Sequence, residues 1–325
     1  NLLSHIAVSK FVDHLPLYRQ LKIFERYGIT IPTSTLESWI RICSRTLRLL
    51  YAVQKETVLV QDYLQVDESP IRVLDNDKKG ATHLGYMWVY HAVLSKMVYF
   101  EYRKGRSGEF PQENLSKFKG YLQTDGYSGY LQFEKQDGIT HLGCWAHARR
   151  KFEHALDNDK ERATIILHWI QQLYTIEREA VEKGLSPEGT KTLRLEKSLP
   201  IINLIGKYIL QENNNVLPKS SIGVAFTYCT ERWSTLSNYI MNGLLQIDNN
   251  LVENAIRPLG LGRKNYLFAG SHAAAEDIAM YYSFFASCKA HNINPETWLS
   301  FVLGHITDAK PSQYVNLLPA NFKPE

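Results

Sequence analysis

Apolar residues recur along this chain with two different periods, and the change of period divides it. Residues 1 to about 60 read as helices: Leu15 to Tyr27 repeats every three or four positions and is ended by Gly28. "TSTLESWIRICSRTLRLLY" is the next helix, opened by a capping box of Ser34 and Glu37, with Leu36, Trp39, Ile42/Cys43, Leu47 and Leu50 on its apolar side. The period then shortens to two. "YLQVDESPIRVL" alternates, and "LGYMWVYHAV" and "KMVYFEYR" are rich in β-branched and aromatic residues, so three strands are expected. Ser107 to Phe118 is mixed and compatible with a helix. Two more strands, "GYLQTD" (120–125) and "ITHLGCW" (139–145), precede a helix "AHARRKFEHAL". Strands and helices in this order predict an α/β layer with mixed pairing.

From Asp159 to about Asn242 the pattern is helical, with breaks at Gly184–Pro187, Asn213–Pro218 and Gly243. "IDNNLVENAIRPLGLGRKNYLFAG" then predicts a helix starting near Asn250. Its apolar side is Leu251, Ala255 and Leu259, and its polar side is Asn250, Glu253, Asn254 and Arg257. "HAAAEDIAMYYSFFASCKAH" and "NPETWLSFVLGHI", the latter with Asn294 as cap and Pro295 in the first turn, complete the helices. Residues from Pro311 onward read as a weakly structured tail.

Composition narrows the class. The 325 residues suffice for two or three domains, and 44% hydrophobic with 22% charged residues is ordinary for a soluble globular protein. A net charge of +4 permits a polyanionic partner without requiring one, so any nucleic-acid surface must come from local clusters. Cys43, Cys144, Cys229 and Cys288 show no disulfide spacing, which fits a reducing cytoplasm. No apolar run approaches the ~18–20 residues that span a bilayer. The chain begins at Asn1 within a helical pattern and reads as the back portion of a longer protein.

Two acids stand where strands should be. Asp67 interrupts "LQVDESP" and Asp125 ends "YLQTDGYSGY"; each needs a cation, a metal or a turn to offset desolvation. Were the first strand central and the fourth beside it, the two carboxylates would be neighbours suited to Mg²⁺ or Mn²⁺. Glu68 faces the other way along the strand and is not counted as a ligand. Glu253 has two readings: an i,i+4 partner of Arg257, or a metal-ligating acid near a polyanion.

"VDESP", "LQTDGYSGY", "HLGCWAHARRKF" and "IDNNLVENAIRPLGLGRKNYLFAGS", in this order, closely resemble the transposases of the insertion-sequence-66 family, as does the upstream "SKFVDHLPLYRQLKIFERYGITIPTSTLESW". The resemblance implies a ribonuclease-H-like mixed five-stranded sheet flanked by helices, and a DDE triad of Asp67, Asp125 and Glu253 holding two Mg²⁺ (or Mn²⁺) ions. It implies strand cleavage and strand transfer on transposon ends and target DNA, with homo-oligomers on paired ends, accessory proteins and no membrane. The 58 positions from Asp67 to Asp125 and the 128 from Asp125 to Glu253 imply an insertion before the third acid. The expected organisation is a helical region with a helix-turn-helix pattern (1–60), the first part of the catalytic domain (61–158) and a helical insertion (159–245). The rest of the catalytic domain (246–310) and a tail (311–325) follow. The cysteine-rich upstream element usual in the family has no counterpart in the sequence.

Basic residues supply candidate DNA contacts. Arg41, Arg45 and Arg48 form a stripe on the second helix of the helix-turn-helix pattern; a solvated face is the alternative. His147, Arg149 and Arg150 follow the strand that leads from Asp125, and Arg257, Arg263 and Lys264 share the helix of Glu253. Cys144-x-x-His147 is either core plus cap, part of that DNA surface, or, with Cys288-x-x-His291, four zinc ligands. Gly260-x-Gly262 lacks the strand and third glycine of a dinucleotide fingerprint. Tyr127, Ser128 and Tyr130 lack the arginine–histidine setting of covalent recombinases. Two alternatives to a transposase remain: a nuclease or resolvase that cuts without joining, and a non-catalytic DNA-binding protein acting through the Arg41–Arg48 helix.

Overall fold

The computed structural model describes residues 2–74 and 80–323. It is an α/β protein with a five-stranded mixed sheet and many helices, in two compact units. One unit takes the chain up to Phe118 and again from Leu251 onward; the other is Lys119–Asn250. Among the described residues no helix is long and apolar enough to cross a membrane.

The first unit opens with α1 (Leu2–Phe11), α2 (Leu17–Arg26) and α3 (Thr33–Leu59). Gly28, at φ +75°, supplies the left-handed turn that ends the α2 segment. The capping box of Ser34 and Glu37 does not form. Pro32, extended at φ −62° and ψ 142°, holds the N-cap, so the helix starts at Thr33 and Ser34 already lies inside its first turn. α3 runs on to Leu59 with Leu36, Ile40, Cys43, Leu47, Leu50, Gln54 and Val58 buried; Ile42, expected inside, is 54% exposed.

β1 (Tyr63–Leu74), β2 (Thr82–Ala92) and β3 (Met97–Arg103) form antiparallel pairs in the order β3-β2-β1, with Glu68 opposite Trp88 and Trp88 opposite Glu101. β1 has the bounds its alternation predicts. The mixed stretch after β3 contains α4 (Glu109–Leu115).

The second unit carries a parallel pair, β4 (Gly120–Gln123) and β5 (Ile139–Leu142). Both are shorter than expected. β4 stops because Asp125 and Gly126 turn the chain, and β5 because Gly143 packs tightly against Thr235 and Leu236 before α5 (Trp145–Ala155) begins. A helical block follows: α6 (Lys160–Glu182), α7 (Pro187–Leu193), α8 (Leu199–Glu212), α9 (Ser221–Glu231) and α10 (Trp233–Ser237). Its breaks fall where the Gly, Pro and Asn runs place them. The π-helical turn Arg194–Ser198 between α7 and α8 buries Arg194. That guanidinium pairs with Glu177 at 2.6 Å and donates to the carbonyls of Tyr239, Asn242 and Leu245. Each buried N–H so named has an acceptor, as a buried charge requires.

The chain returns to the first unit with α11 (Asn250–Tyr266), α12 (His272–Ala290) and α13 (Pro295–His305). Asn294 caps α13, its side-chain oxygen accepting from Glu296 (2.8 Å) and Thr297 (3.1 Å). The expected weak tail is instead ordered into 3-10 turns at Pro311–Leu317 and Pro319–Asn321. Leu317 and Leu318 are buried, and the Leu317 carbonyl accepts from the Trp298 indole at 3.0 Å. Apolar burial wins over the proline-rich composition there.

α12 also covers the outer side of β3. The Ser283 and Ser287 hydroxyls accept from the N–H groups of Phe100 (2.8 Å) and Val98 (2.9 Å). The buried amide of Gln54 donates to the Val98 carbonyl at 2.5 Å and to Ser287 Oγ at 3.0 Å.

Candidate functional site

Asp67 lies inside β1, half-buried, with its Oδ1 accepting from the backbone N–H of Glu68 at 2.8 Å. Alternation puts Gln65 on the same face of the strand. Gln65 is fully buried, and its Oε1 accepts from the Val252 N–H at 3.1 Å. Val252 belongs to the first turn of α11, where helix N–H groups lack intrahelical partners. Glu253 is the next residue. The strand of Asp67 therefore holds the start of the helix that carries Glu253.

A second tie fixes the direction of that helix: Arg263 donates to the Pro70 carbonyl. From Gln65 to Pro70 is five strand residues and from Val252 to Arg263 eleven helical ones. At ~3.3 Å and 1.5 Å of rise respectively, each interval spans roughly 16.5 Å, so α11 runs along β1. Beyond the helix, Ala269 bridges Val73, with the Ala269 N–H on Arg72 O and the Leu74 N–H on Ala269 O, both 2.8 Å.

The buried side of α11 is Val252, Leu259 and Gly262, whereas Leu251 is 38% exposed. This corrects the expected stripe of Leu251, Ala255 and Leu259. Four-residue steps drift about 40° each around a helix, while residues seven apart stay nearly in line. Glu253 is half-buried.

Glu68, the next residue of β1, bonds away from Asp67. Its side chain is 1% exposed and bonded to Arg106 at 2.6 Å.

In the second unit Asp125 follows β4 by two residues. Its Oδ1 accepts from the Tyr127 N–H at 2.9 Å, an Asx-type turn. Gly126 makes this turn possible: a Cβ there would lie 2.7 Å from the Tyr228 ring and 3.0 Å from Arg232 Nε. Arg232 stacks over Tyr228 and donates to the Gly126 carbonyl at 3.0 Å, clamping the turn from the end of α9. Gln123, fully buried two residues before Asp125, donates from Nε2 to the carbonyls of Gly143 and Gln246, each at 3.0 Å. Sequence reasoning missed both glutamines. The signal was a polar amide at an inward strand position, in L-Q-V-D and again in L-Q-T-D.

Asp248 accepts from the Tyr174 hydroxyl (2.8 Å), from the Asn250 N–H (3.1 Å) and from the Asn250 side chain (2.8 Å), and so shapes the chain just before α11.

The basic candidates differ in exposure and in the bonds they make. On α3, Arg41 and Arg45 are exposed, but Arg48 bonds Asp277 at 2.6 Å and lies 3.6 Å from Glu276. On α5, Arg150 is exposed, Arg149 pairs with Glu153 at 2.9 Å, and His147 is half-buried. On α11, Arg257 and Lys264 are exposed, while Arg263 holds Pro70.

Cys144 and Cys288 are buried core thiols. Burial pushes Cys144 up to about 12 and Cys288 higher still, and His291 bonds the Ser95 carbonyl at 3.0 Å. Among the described residues, no group of three or more His, Cys, Asp or Glu side chains is arranged as a preformed metal site.

The family described as "Transposase IS66 family" matches residues 1–277, and the "IS66 C-terminal element" matches residues 283–320. Two proteins of Sinorhizobium fredii (strain NBRC 101917 / NGR234), "Uncharacterized protein y4qI" and "Uncharacterized protein y4jD", are 32% and 30% identical to the chain. The alignments take in 100% and 99% of the chain but only 62% and 66% of these relatives.

Proposed function

Because the chain belongs to the Transposase IS66 family, we propose that it cleaves and joins DNA with a DDE triad of Asp67, Asp125 and Glu253 on a ribonuclease-H-like sheet. The observation that carries this reading is the Val252–Gln65 hydrogen bond, which seats the start of the Glu253 helix on the strand and face of Asp67. Carboxylates alone make up the donor set, with Glu68 removed by Arg106, and hard oxygen donors suit Mg²⁺ or Mn²⁺. When bound, two such ions would supply Lewis acidity to the attacking and leaving oxygens of a phosphodiester.

The protein's own groups do the rest. Asp67 is braced by the strand, Asp125 by its turn, and Glu253 by the tie of its helix to β1. Arg41, Arg45, Arg150, Arg257 and Lys264 are exposed and are assigned to backbone phosphates in this reading. Arg48, Arg149 and Arg263 serve internal bonds in this reading. Transposon ends and target DNA are the substrates, in the cytoplasm, with two or more copies of the protein on paired ends.

The test is single-turnover cleavage of DNA carrying the element's ends in Mg²⁺ or Mn²⁺, with a duplex-binding assay beside it. Asp67→Asn and Glu253→Gln should abolish cleavage and keep binding. Normal cleavage by either variant removes that residue from the triad.

A further inference from the structure

The turn between α11 and α12 exposes two large apolar side chains in succession: Leu267 is 66% and Phe268 40% exposed. Its backbone is held on both sides. The Leu267 N–H bonds the Arg263 carbonyl at 3.1 Å, and Ala269 is fixed to β1 through Arg72 and Leu74. Leu267 sits at φ +60°, a left-handed conformation that glycine adopts readily and a bulky residue rarely. Such an outlier persists only where its surroundings over-determine it, and it points to a function for the side chain. Phe268 also lines a cavity of about 450 Å³, within the roughly 300–1,000 Å³ typical of small-ligand sites. The cavity belongs to the first unit alone, between α1, α3 and the start of α12. Lys10 of α1 and Arg41 of α3 bring positive charge to it. Burial lowers the Lys10 pKa, with Glu37 opposing the shift, so an anion reaching Lys10 meets an ammonium partly stripped of water. Of the two acids in the wall, Asp277 is bonded to Arg48 at 2.6 Å and Glu37 is exposed. Gly270 and Ala274 keep the rest of the wall low; a Cβ at Gly270 would meet nothing within 4 Å.

We propose that this cavity takes a nucleotide turned out of the DNA duplex, with Leu267 as the wedge that fills the gap left in the stack. The inference rests on the reading of DNA as the substrate and not on the three acids. The residue types match the parts of a nucleotide. Phe268 offers a ring face to a base, Lys10 and Arg41 answer its phosphate, and the Glu37 carboxylate accepts from the amino group of adenine, cytosine or guanine. Thymine has no such group, so the cavity disfavours it. A plain phosphate site needs neither the aromatic ring nor the exposed leucine, and an apolar ligand needs no pair of cations. Taking a base out of the stack is unfavourable; stacking on Phe268 and insertion of Leu267 offset that cost.

The experiment uses the full-length protein and duplexes carrying the element's ends, with one 2-aminopurine scanned through the terminal base pairs. The fluorescence of this base rises when it leaves the stack, and divalent metal is omitted so that no strand is cut. With the wild type, binding should raise the fluorescence at one position or at two neighbouring ones. Leu267→Gly, Phe268→Ala and the cavity-filling Ala274→Leu should each lose that rise while melting as the wild type does. A mismatch at the responsive position lowers the cost of extrusion, so it should restore the rise in Leu267→Gly, whose cavity is open, and not in Ala274→Leu. On the mismatched duplex Phe268→Ala should bind about 10-fold more weakly, for want of one base–aromatic stack. Binding by the wild type with no rise at any position would overturn the proposal. So would a rise that survives in Phe268→Ala and Ala274→Leu, or one lost only together with a fall in melting temperature. If the wild type does not bind the ends, the DNA reading falls and takes this inference with it. Normal cleavage by Asp67→Asn in Mg²⁺ would remove the triad and leave the cavity's role standing.

Discussion

β1 and β4 carry the same four-residue pattern and treat the acid at its end differently. β1 is twelve residues long and paired throughout with β2, so Asp67 stays within the strand and Glu68 turns to the opposite face to meet Arg106. β4 is four residues long, and Asp125 falls beyond it in a turn that needs Gly126 and is clamped by Tyr228 and Arg232. One acid is positioned by sheet pairing and the other by a turn. The same local sequence thus presents a carboxylate in two ways, decided by the residue that follows it: glutamate continues the strand, glycine ends it.

The largest effect expected is catalytic. If both placements deliver equivalent ligands, Asp67→Asn and Asp125→Asn should each lower cleavage by several orders of magnitude with DNA binding retained. A loss confined to Asp67→Asn would mean that Asp125 serves its turn alone.

The next effect is pH-dependent and again sets the units side by side. His91 in β2 and His141 in β5 are both buried, and burial lowers each to about 4. A folded pKa below the unfolded value near 6.5 means that the unfolded chain binds the proton first. Stability is therefore complete above about pH 6.5 and is lost as pH falls towards 4, by about 3 kcal/mol per histidine. Denaturant unfolding at pH 7, 5.5 and 4 should show this loss, and His91→Phe and His141→Phe should each flatten it. An unchanged pH dependence in a Phe variant would acquit that histidine.

A smaller cost separates the two turns themselves. Gly126→Ala forces a methyl against Tyr228 and should destabilise the second unit by about 1–3 kcal/mol. Glu68→Gln in β1 keeps the shape and weakens the pair with the partly exposed Arg106, at about 1 kcal/mol. Equal melting shifts would contradict the distinction between turn and sheet.

The smallest effect is on salt dependence. Arg41→Ala and Arg45→Ala should each lower the slope of log binding against log salt by about 0.9, whereas Arg48→Ala, already paired with Asp277, should leave it unchanged. A shift with Arg48→Ala would mean that DNA displaces the acid.

Much of this architecture was legible in the residue pattern, and the misses have physical causes. β1 is read correctly because its apolar alternation and β-branched residues agree. The breaks of the helical block are read correctly because Gly, Pro and Asn act locally. The start of α3 was misread because a proline before the helix competes with a capping box. The buried side of α11 was misread because four-residue steps drift. Asp67 and Asp125 stand out as acids in or just after apolar strands, but Glu253 is proposed as the third acid only through the family resemblance. Gln65, which holds the start of that helix, and Gln123 were passed over because hydrogen bonding to a distant backbone leaves no periodic trace.

The serine-lined border of β3 has a consequence for how this molecule keeps company. An outer strand with bare N–H and C=O groups is a template on which another chain can lay a strand, the route to swapped dimers and cross-β fibrils. Here Ser283, Ser287 and Gln54 occupy the groups of Val98 and Phe100 that a newcomer would need. The sheet is closed to growth on that flank. A second chain finds no free strand template at Val98 and Phe100, so crowding does not seed a fibre there.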